Sequence, residues 1–273
     1  MPVHFDDHFQ TQGKDFAREH LRAGHAPAPW WRKTDPISCQ GTRRNIMTMI
    51  IGLDVRCVCC GQTSKVRIIC STHAFGSPDL DTRPPEESRS TIWANVYRCP
   101  GCGYCASDLS EGSGDLNAIV QSRDYRAHLD NECRPAKANE FLCQALIAKH
   151  MGRLVDAASA TLFAAWICDD SPSHREQAIA CRQSALSLLL EAEQAGDEAF
   201  DNSETIRAMR VDLLRRSEDF SEARVAVDAM IAAIDSFRSI LLFQKHLIET
   251  RDTAAHLVSE AFDFVKKADA GAN

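Results

Sequence analysis

Two short cysteine motifs constrain the fold of this chain more than any other feature. "CVCCG" holds Cys57 and Cys60, and "CPGCG" holds Cys99 and Cys102, each pair ahead of a glycine. Two intervening residues let one tight turn aim both thiolates at a single ion, and zinc takes four such ligands in a tetrahedron. A glycine after the second cysteine accepts positive φ where the chain turns back. The spacing therefore predicts one Zn²⁺ ion held by these four cysteines.

Two segments next to these motifs predict β-strands. "KVRIIC" (65–70) and "TIWANVY" (91–97) are rich in β-branched and aromatic residues, and the second alternates in polarity. Each cysteine knuckle then abuts a strand. Residues 49–112 thus have the layout of a zinc ribbon with a long insertion.

The cysteine pattern leaves two other interpretations open. The four cysteines can be free thiols of a reduced protein. Cys102 and Cys105 form a further C-x-x-C, which is a candidate redox pair, although that motif is usually found at a helix N-terminus inside a βαβ unit and no such unit is visible. We interpret Cys59 and Cys105 as small side chains near the metal, outside its ligand set.

The insertion carries the segment "FGSPDLDTRPP" (75–85). Asp79 and Asp81 point to the same side of an extended chain, with Arg83 two residues further on, so a cation site or an acid–base pair is one interpretation. Turn closure and ion pairing, among themselves or with backbone amides, are the favoured role, because glycine and prolines punctuate the segment.

From residue 113 onward the pattern becomes helical. "VDAASATLFAAWICDD" and "EARVAVDAMIAAID" repeat apolar residues at helical spacing, and short connections between such segments favour antiparallel hairpins. Gly152 and Glu218 lie 66 residues apart, near twice the tetratricopeptide period of about 34, and Ala157 and Ala223 then share a small-residue position. We predict a mainly α fold with a small β zinc ribbon and tetratricopeptide-like hairpins over 113–273, with a helical bundle as the alternative.

The amino-terminal segment predicts the compartment. It lacks the basic start and apolar stretch of a signal peptide, and no run of about 18 apolar residues occurs in the 273, so we expect a cytoplasmic protein without membrane spans. Twelve cysteines in a reducing compartment suit metal binding or buried thiols better than disulfides.

Residues 1–48 show no sustained periodicity and predict an irregular or disordered arm, or a mispredicted start upstream of Met47 or Met49.

Charge argues against nucleic acid as a partner. Residues 1–48 contain 7 basic and 5 acidic side chains, residues 49–112 contain 6 and 7, and residues 113–273 contain 18 and 26. A protein that neutralises phosphates is expected to have a strongly basic segment, and none is present.

Five segments together resemble an uncharacterised bacterial family, a domain of unknown function that joins a zinc-ribbon-like start to tetratricopeptide-like helices. The segments are "CVCCG", "GSPDLDTRPP", "YRCPGCGYCAS", "AAWICDD" and "LLRRSEDFSEA". The resemblance covers residues 50–260 and implies Cys57, Cys60, Cys99 and Cys102 as metal ligands, with no chemistry for the Asp-Leu-Asp segment. The chain departs from the family at Cys105, where alanine is expected, and at Glu218, where glycine is usual.

These observations favour a binding function over a catalytic one. We expect a zinc-stabilised adaptor whose helical groove holds a protein or peptide partner. The alternatives are a thiol redox switch or enzyme at the ribbon, using Cys102, Cys105 or the Asp79–Asp81 pair, and a nucleic-acid-binding ribbon. The sequence contains no G-x-S-x-G, Walker loop, dinucleotide fingerprint or H-E-x-x-H motif.

Overall fold

The fold is that of a computed structural model, which describes residues 49–71, 75–201 and 203–271. The arm predicted for residues 1–48 lies outside these described residues.

In the described residues the β-structure consists of two small antiparallel hairpins and an isolated bridge between Asp79 and Leu257. Strand β1 (Met49–Arg56) pairs with β2 (Thr63–Ser71), so that Arg56 stands opposite Thr63 and the first knuckle forms the connecting loop. Strand β3 (Tyr97–Arg98) pairs with β4 (Cys105–Ala106) around the second knuckle. The strand predicted over 65–70 is confirmed.

The strand predicted over residues 91–97 is largely wrong. A 3-10 helix covers Ile92–Asn95, and only Tyr97 belongs to a strand. The partner strand β4 is two residues long, so the residues before Tyr97 have no ladder to join. Their backbone groups bond locally instead, for example Ala94 N–H to the Thr91 carbonyl at 3.0 Å.

Helices make up most of the described chain. They are α1 (Glu86–Arg89), α2 (Leu116–Gln121), α3 (Arg123–Leu129), α4 (Ala136–His150), α5 (Leu154–Asp169), α6 (Arg175–Gln194), α7 (Glu198–Asp201), α8 (Glu204–Arg216), α9 (Phe220–Ala233), α10 (Arg238–Glu249) and α11 (Val258–Gly271). Successive long helices pack together, α4 on α5, α5 on α6, α8 on α9 and α9 on α10. The fold is therefore mainly α with a small β region, as predicted.

The ends of α4 and α8 adopt the same left-handed terminus. Gly152 after α4 has φ 72°, and Glu218 after α8 has φ 68°. In both places the next residue's N–H returns to a carbonyl five residues earlier, Arg153 to Ala148 and Asp219 to Leu214. Gly152 and Glu218, which lie 66 residues apart, therefore occupy equivalent positions at the ends of two helices. A tetratricopeptide repeat along the whole chain stays a prediction.

Ala157 and Ala223 support the same comparison, because both are fully buried on the helix that follows such a terminus. A small side chain at this position lets the paired helices approach closely.

One hydrophobic core joins the ribbon to the first helices. Cys57, Cys99 and Leu109 belong to the same buried cluster as Phe141 and Trp166. A second cluster lies between α8, α9 and α10 around Val211, Ala223 and Leu241. In the part of the chain that the structure describes, no helix combines the length and apolar character that a membrane crossing requires.

Candidate metal centre

The two knuckles are built in the same way. In the first, Cys57 N–H donates to the Gln62 carbonyl and Gly61 N–H to the Cys57 carbonyl, both at 2.8 Å. In the second, Cys99 N–H donates to the Tyr104 carbonyl at 2.8 Å and Gly103 N–H to the Cys99 carbonyl at 2.9 Å. The glycines have φ 76° and 81°, the left-handed conformation predicted for them.

The knuckles bring four sulfur atoms together. The Sγ atoms of Cys57, Cys60, Cys99 and Cys102 all lie within 4.8 Å of one another. The Cys57–Cys102 separation is 3.8 Å and the Cys60–Cys99 separation is 3.6 Å. A tetrahedral zinc with sulfurs about 2.3 Å away requires sulfur–sulfur distances of about 3.8 Å. The donor set therefore fits one tetrahedral metal ion.

Backbone amides support thiolate at the first cysteine of each knuckle. Burial raises the pKa of the Cys99 thiol, but N–H groups of Cys102 and Gly101 donate to its sulfur, and the net pKa falls to about 7. Cys57 accepts the corresponding bonds from Cys60 and Cys59, although burial dominates there and leaves its pKa raised. A metal ion binds the thiolate form, so these amides favour loading.

Helix α3 braces the second knuckle. The Tyr125 hydroxyl donates to the Gly103 carbonyl and accepts from Cys105 N–H, each at 2.9 Å. Arg126 donates to the Cys102 carbonyl at 2.9 Å. A Cβ at Gly103 would lie 2.7 Å from Leu129 Cδ2, so only glycine fits beneath this helix.

Cys105 and Cys59 lie outside the four-sulfur cluster. Cys105 is fully buried, and its thiol donates to the Gly103 carbonyl at 3.3 Å. Cys59 points to Asn117 Oδ1 at 3.8 Å. Neither belongs to the group that can hold a metal, as we predicted from their spacing. Cys102 therefore belongs to the four-sulfur cluster, whereas Cys105 belongs to the hydrophobic core.

A second polar cluster centres on Asp81, which is fully buried. Its Oδ1 accepts from Arg83 N–H at 3.2 Å, which closes the turn as predicted. Its Oδ2 accepts from Trp166 Nε1 at 2.9 Å and from Arg216 Nη1 at 2.7 Å, and Arg182 lies 3.7 Å away. Although burial raises the pKa of Asp81, these two arginines outweigh it and leave the pKa lowered.

Asp79 and Arg83 pair with residues outside the segment. Asp79 bonds to Arg89, and Arg83 donates to Asp170 at 2.5 Å. Of the predicted pairings, the segment makes the bond from a backbone amide to Asp81, while the turn at Thr82 directs the Asp79 and Arg83 side chains towards separate helices. Burial and the charge of Asp81 raise the pKa of Asp79 to about 6.

The sequence analysis did not predict the other members of the Asp81 cluster. Trp166, Arg182 and Arg216 contact Asp81, and Asp169 contacts the two arginines. Asp169 accepts from Arg216 at 2.9 Å and also bonds Arg182, which links the cluster. No local pattern in the sequence marks these residues, because they lie in separate segments that only the folded chain brings together. Helical periodicity alone treats buried arginines as solvent-facing, so it could not find them.

No protein-family model, curated protein or solved structure gives a significant match to this chain.

Proposed function

We propose that the protein is a zinc-binding adaptor, in which a four-cysteine centre holds the ribbon and the helices bind a protein or peptide partner. The observation that carries the proposal is the four-sulfur cluster. Four thiolates fill the coordination of a tetrahedral zinc ion, whereas catalytic zinc keeps one position open for water or substrate. A zinc ion in this centre would therefore stabilise the fold, and a partner would bind to other surfaces of the protein.

The position of the centre supports a scaffolding role for the metal. Cys57 and Cys99 are buried in the cluster that also contains Phe141 and Trp166 of α4 and α5. A metal that fixes the two knuckles also fixes how the ribbon packs on these helices. Structural zinc contributes on the order of 10 kcal/mol in small modules, enough to decide whether the ribbon folds.

The packing of the helices supports the protein-binding part of the proposal. The pairs α4–α5 and α5–α6, then α8–α9 and α9–α10, are consecutive in sequence and in contact. Stacked helix hairpins present extended faces on which a peptide or a partner helix can lie. We thus propose zinc as the metal and a protein or peptide as the partner of an adaptor. The four-sulfur cluster supports the metal, and the helix packing supports the partner.

The experiment is recovery of a partner by the whole chain. The tagged protein is purified from its native cells, bound proteins are identified by mass spectrometry, and each is purified and rebound to the whole chain. The adaptor proposal predicts a protein that rebinds at a fixed stoichiometry. The Cys59→Ser variant, which leaves the cluster intact, is expected to bind it equally well.

The proposal fails if no protein rebinds while the whole chain catalyses a reaction that stops on removal of the metal. That result would assign a catalytic centre to the ribbon. Reversible disulfide formation involving Cys102 in the whole chain under mild oxidation would instead support the redox alternative.

A further inference from the structure

A cavity of about 260 Å³ opens beside the buried ion cluster. The end of α5, the start of α6, the end of α8 and residues 253–255 line it, and it is partly open to solvent. A buried water needs roughly 10–15 Å³ in the same measure, so the space admits a small molecule.

The charged lining of this cavity is mainly positive. Arg175, Arg182 and Arg216 line it, and Asp169 is the one carboxylate among the described lining residues. The whole chain carries a net charge of −7. Each of these arginines is paired with a carboxylate, Arg175 with Glu218, Arg182 with Asp169 and Arg216 with Asp81. The cavity therefore offers an anion guanidinium hydrogen-bond donors rather than a net positive charge.

The two buried guanidiniums have more donors than acceptors. Arg182 is 2% exposed and donates to both oxygens of Asp169, while Arg216 donates to Asp169 and Asp81. A guanidinium offers five N–H donors. Within the described chain the Nε atoms of both arginines have no hydrogen-bond partner. Both Nε atoms are enclosed by protein, so the donors left for a molecule in the cavity are the Nη hydrogens that the bonds to Asp169 and Asp81 do not use. Buried donors are normally satisfied, so these hydrogens point to an acceptor that binds there.

The start of α6 adds to the same preference. Ser171 and Arg175 line the cavity, so the first turn of this 20-residue helix lies at its edge. His174 occupies the N-cap without a side-chain capping bond. The N–H groups of His174 and Arg175 bond to the carbonyls of Ser171 and Pro172, so this terminus contributes the positive end of the helix dipole rather than free donors.

Arg215 holds the opposite wall in place. Its guanidinium donates to the Asp252 carbonyl at 2.5 Å and to the Ala254 carbonyl at 2.9 Å. Adjacent arginines at the end of α8 thus have different roles, since Arg215 positions the loop while Arg216 lines the cavity. The positioned loop forms one wall of a cavity that is partly open to solvent.

We propose that this cavity binds a small organic anion that carries a phosphate or carboxylate group. The arginines recognise the oxyanion by charge-assisted hydrogen bonds, and Ile179 on α6 contacts the apolar part of the molecule. The site is separate from the cysteine centre and does not depend on the adaptor role.

The test is calorimetric titration of the whole chain with inorganic phosphate and, separately, with succinate, at ionic strength matched with chloride. We expect saturable binding of one anion or both in the millimolar range or tighter, and the preferred anion identifies the group recognised. Arg175→Glu, at an arginine whose side chain is 61% exposed, is expected to weaken binding about tenfold or more. Ile179→Trp, which fills the cavity without changing charge, is expected to do the same.

Arg153→Glu is the matched control. Its side chain is 57% exposed just before the other end of α5, roughly 24 Å from the cavity along that helix. It makes the same charge change and is expected to alter binding less than about twofold. The proposal is overturned if neither anion binds saturably, or if Arg153→Glu weakens binding as much as Arg175→Glu. Thermal unfolding of each variant shows whether it is folded. If Ile179→Trp does not fold, the binding affinity of Arg175→Glu alone tests the proposal.

Discussion

Arg216 donates a hydrogen bond to Asp81 over 2.7 Å, although 135 residues separate them in the sequence. This bond ties the insertion between the knuckles to the end of α8, and Trp166 adds a bond from α5. We predict that Asp81→Asn lowers the free energy of unfolding by about 3–5 kcal/mol, because it leaves the two buried guanidiniums of Arg182 and Arg216 with Asp169 as their one shared carboxylate. Urea unfolding of the whole chain measures the loss.

Asp170→Asn is the control for Asp81→Asn. It removes another aspartate paired with an arginine, Arg83, but the Asp170 side chain is 59% exposed. We expect a loss of about 0–1 kcal/mol, since water compensates an exposed partner. An equal loss of unfolding free energy in the two variants would show that the buried Asp81 cluster stabilises the fold no more than an exposed ion pair does.

Asp79 makes stability depend on pH in the opposite sense to a typical paired carboxylate. Burial and the charge of Asp81 raise its pKa from 3.8 to about 6 in the folded chain. Between these values the folded state binds more protons than the unfolded state, so stability falls as pH rises. We predict that the advantage of Asp79→Asn over the unchanged protein grows by about 2 kcal/mol from pH 4 to pH 6 and levels off above about pH 7.

Urea unfolding at a series of pH values measures this difference. Glu86→Gln is the matched control, because Glu86 is the second carboxylate near Arg89 and its side chain is 89% exposed. Its effect is expected to be small at every pH. A flat difference curve for Asp79→Asn would mean that Asp79 keeps an ordinary pKa in the fold.

Glu218 is a non-glycine residue in the left-handed conformation, at φ 68° after α8. We predict that Glu218→Gly stabilises the protein by about 1 kcal/mol, because glycine adopts this conformation without a steric cost. The change also removes an exposed ion pair with Arg175, which contributes little.

Glu218→Ala separates the two effects in the same unfolding measurement. Alanine removes the ion pair but keeps a Cβ in the strained conformation, so only the glycine variant is expected to gain stability. A gain of equal size in both variants would place the effect in the side chain rather than in the backbone.

The fold class and the grouping of the cysteines could be predicted because both depend on local spacing. C-x-x-C-G fixes the turn at Cys57 and Cys99, and the 3.6-residue period fixes the helix of Trp166. The helical termini could also be aligned, since Gly152 and Glu218 occupy the same local structure.

The Asp81 cluster could not be predicted, because it depends on long-range packing. Nothing local indicates that Arg182 and Arg216 are buried, and their partner lies in an insertion without regular structure. The 3-10 helix over Ile92–Asn95 was missed for a related reason, since alternation predicts a strand only where a partner strand is present.

The most direct test of the account is the zinc content of the purified whole chain and its cysteine variants. We predict one zinc per chain, retained in Cys59→Ser and in Cys105→Ala and lost when Cys57, Cys60, Cys99 or Cys102 is changed to serine, because the sulfurs of those four lie together. Cys105→Ala is expected to lose stability while keeping its metal, since Cys105 is buried against the knuckle. A protein without stoichiometric zinc, or one that keeps zinc in Cys60→Ser and loses it in Cys59→Ser, would contradict the account.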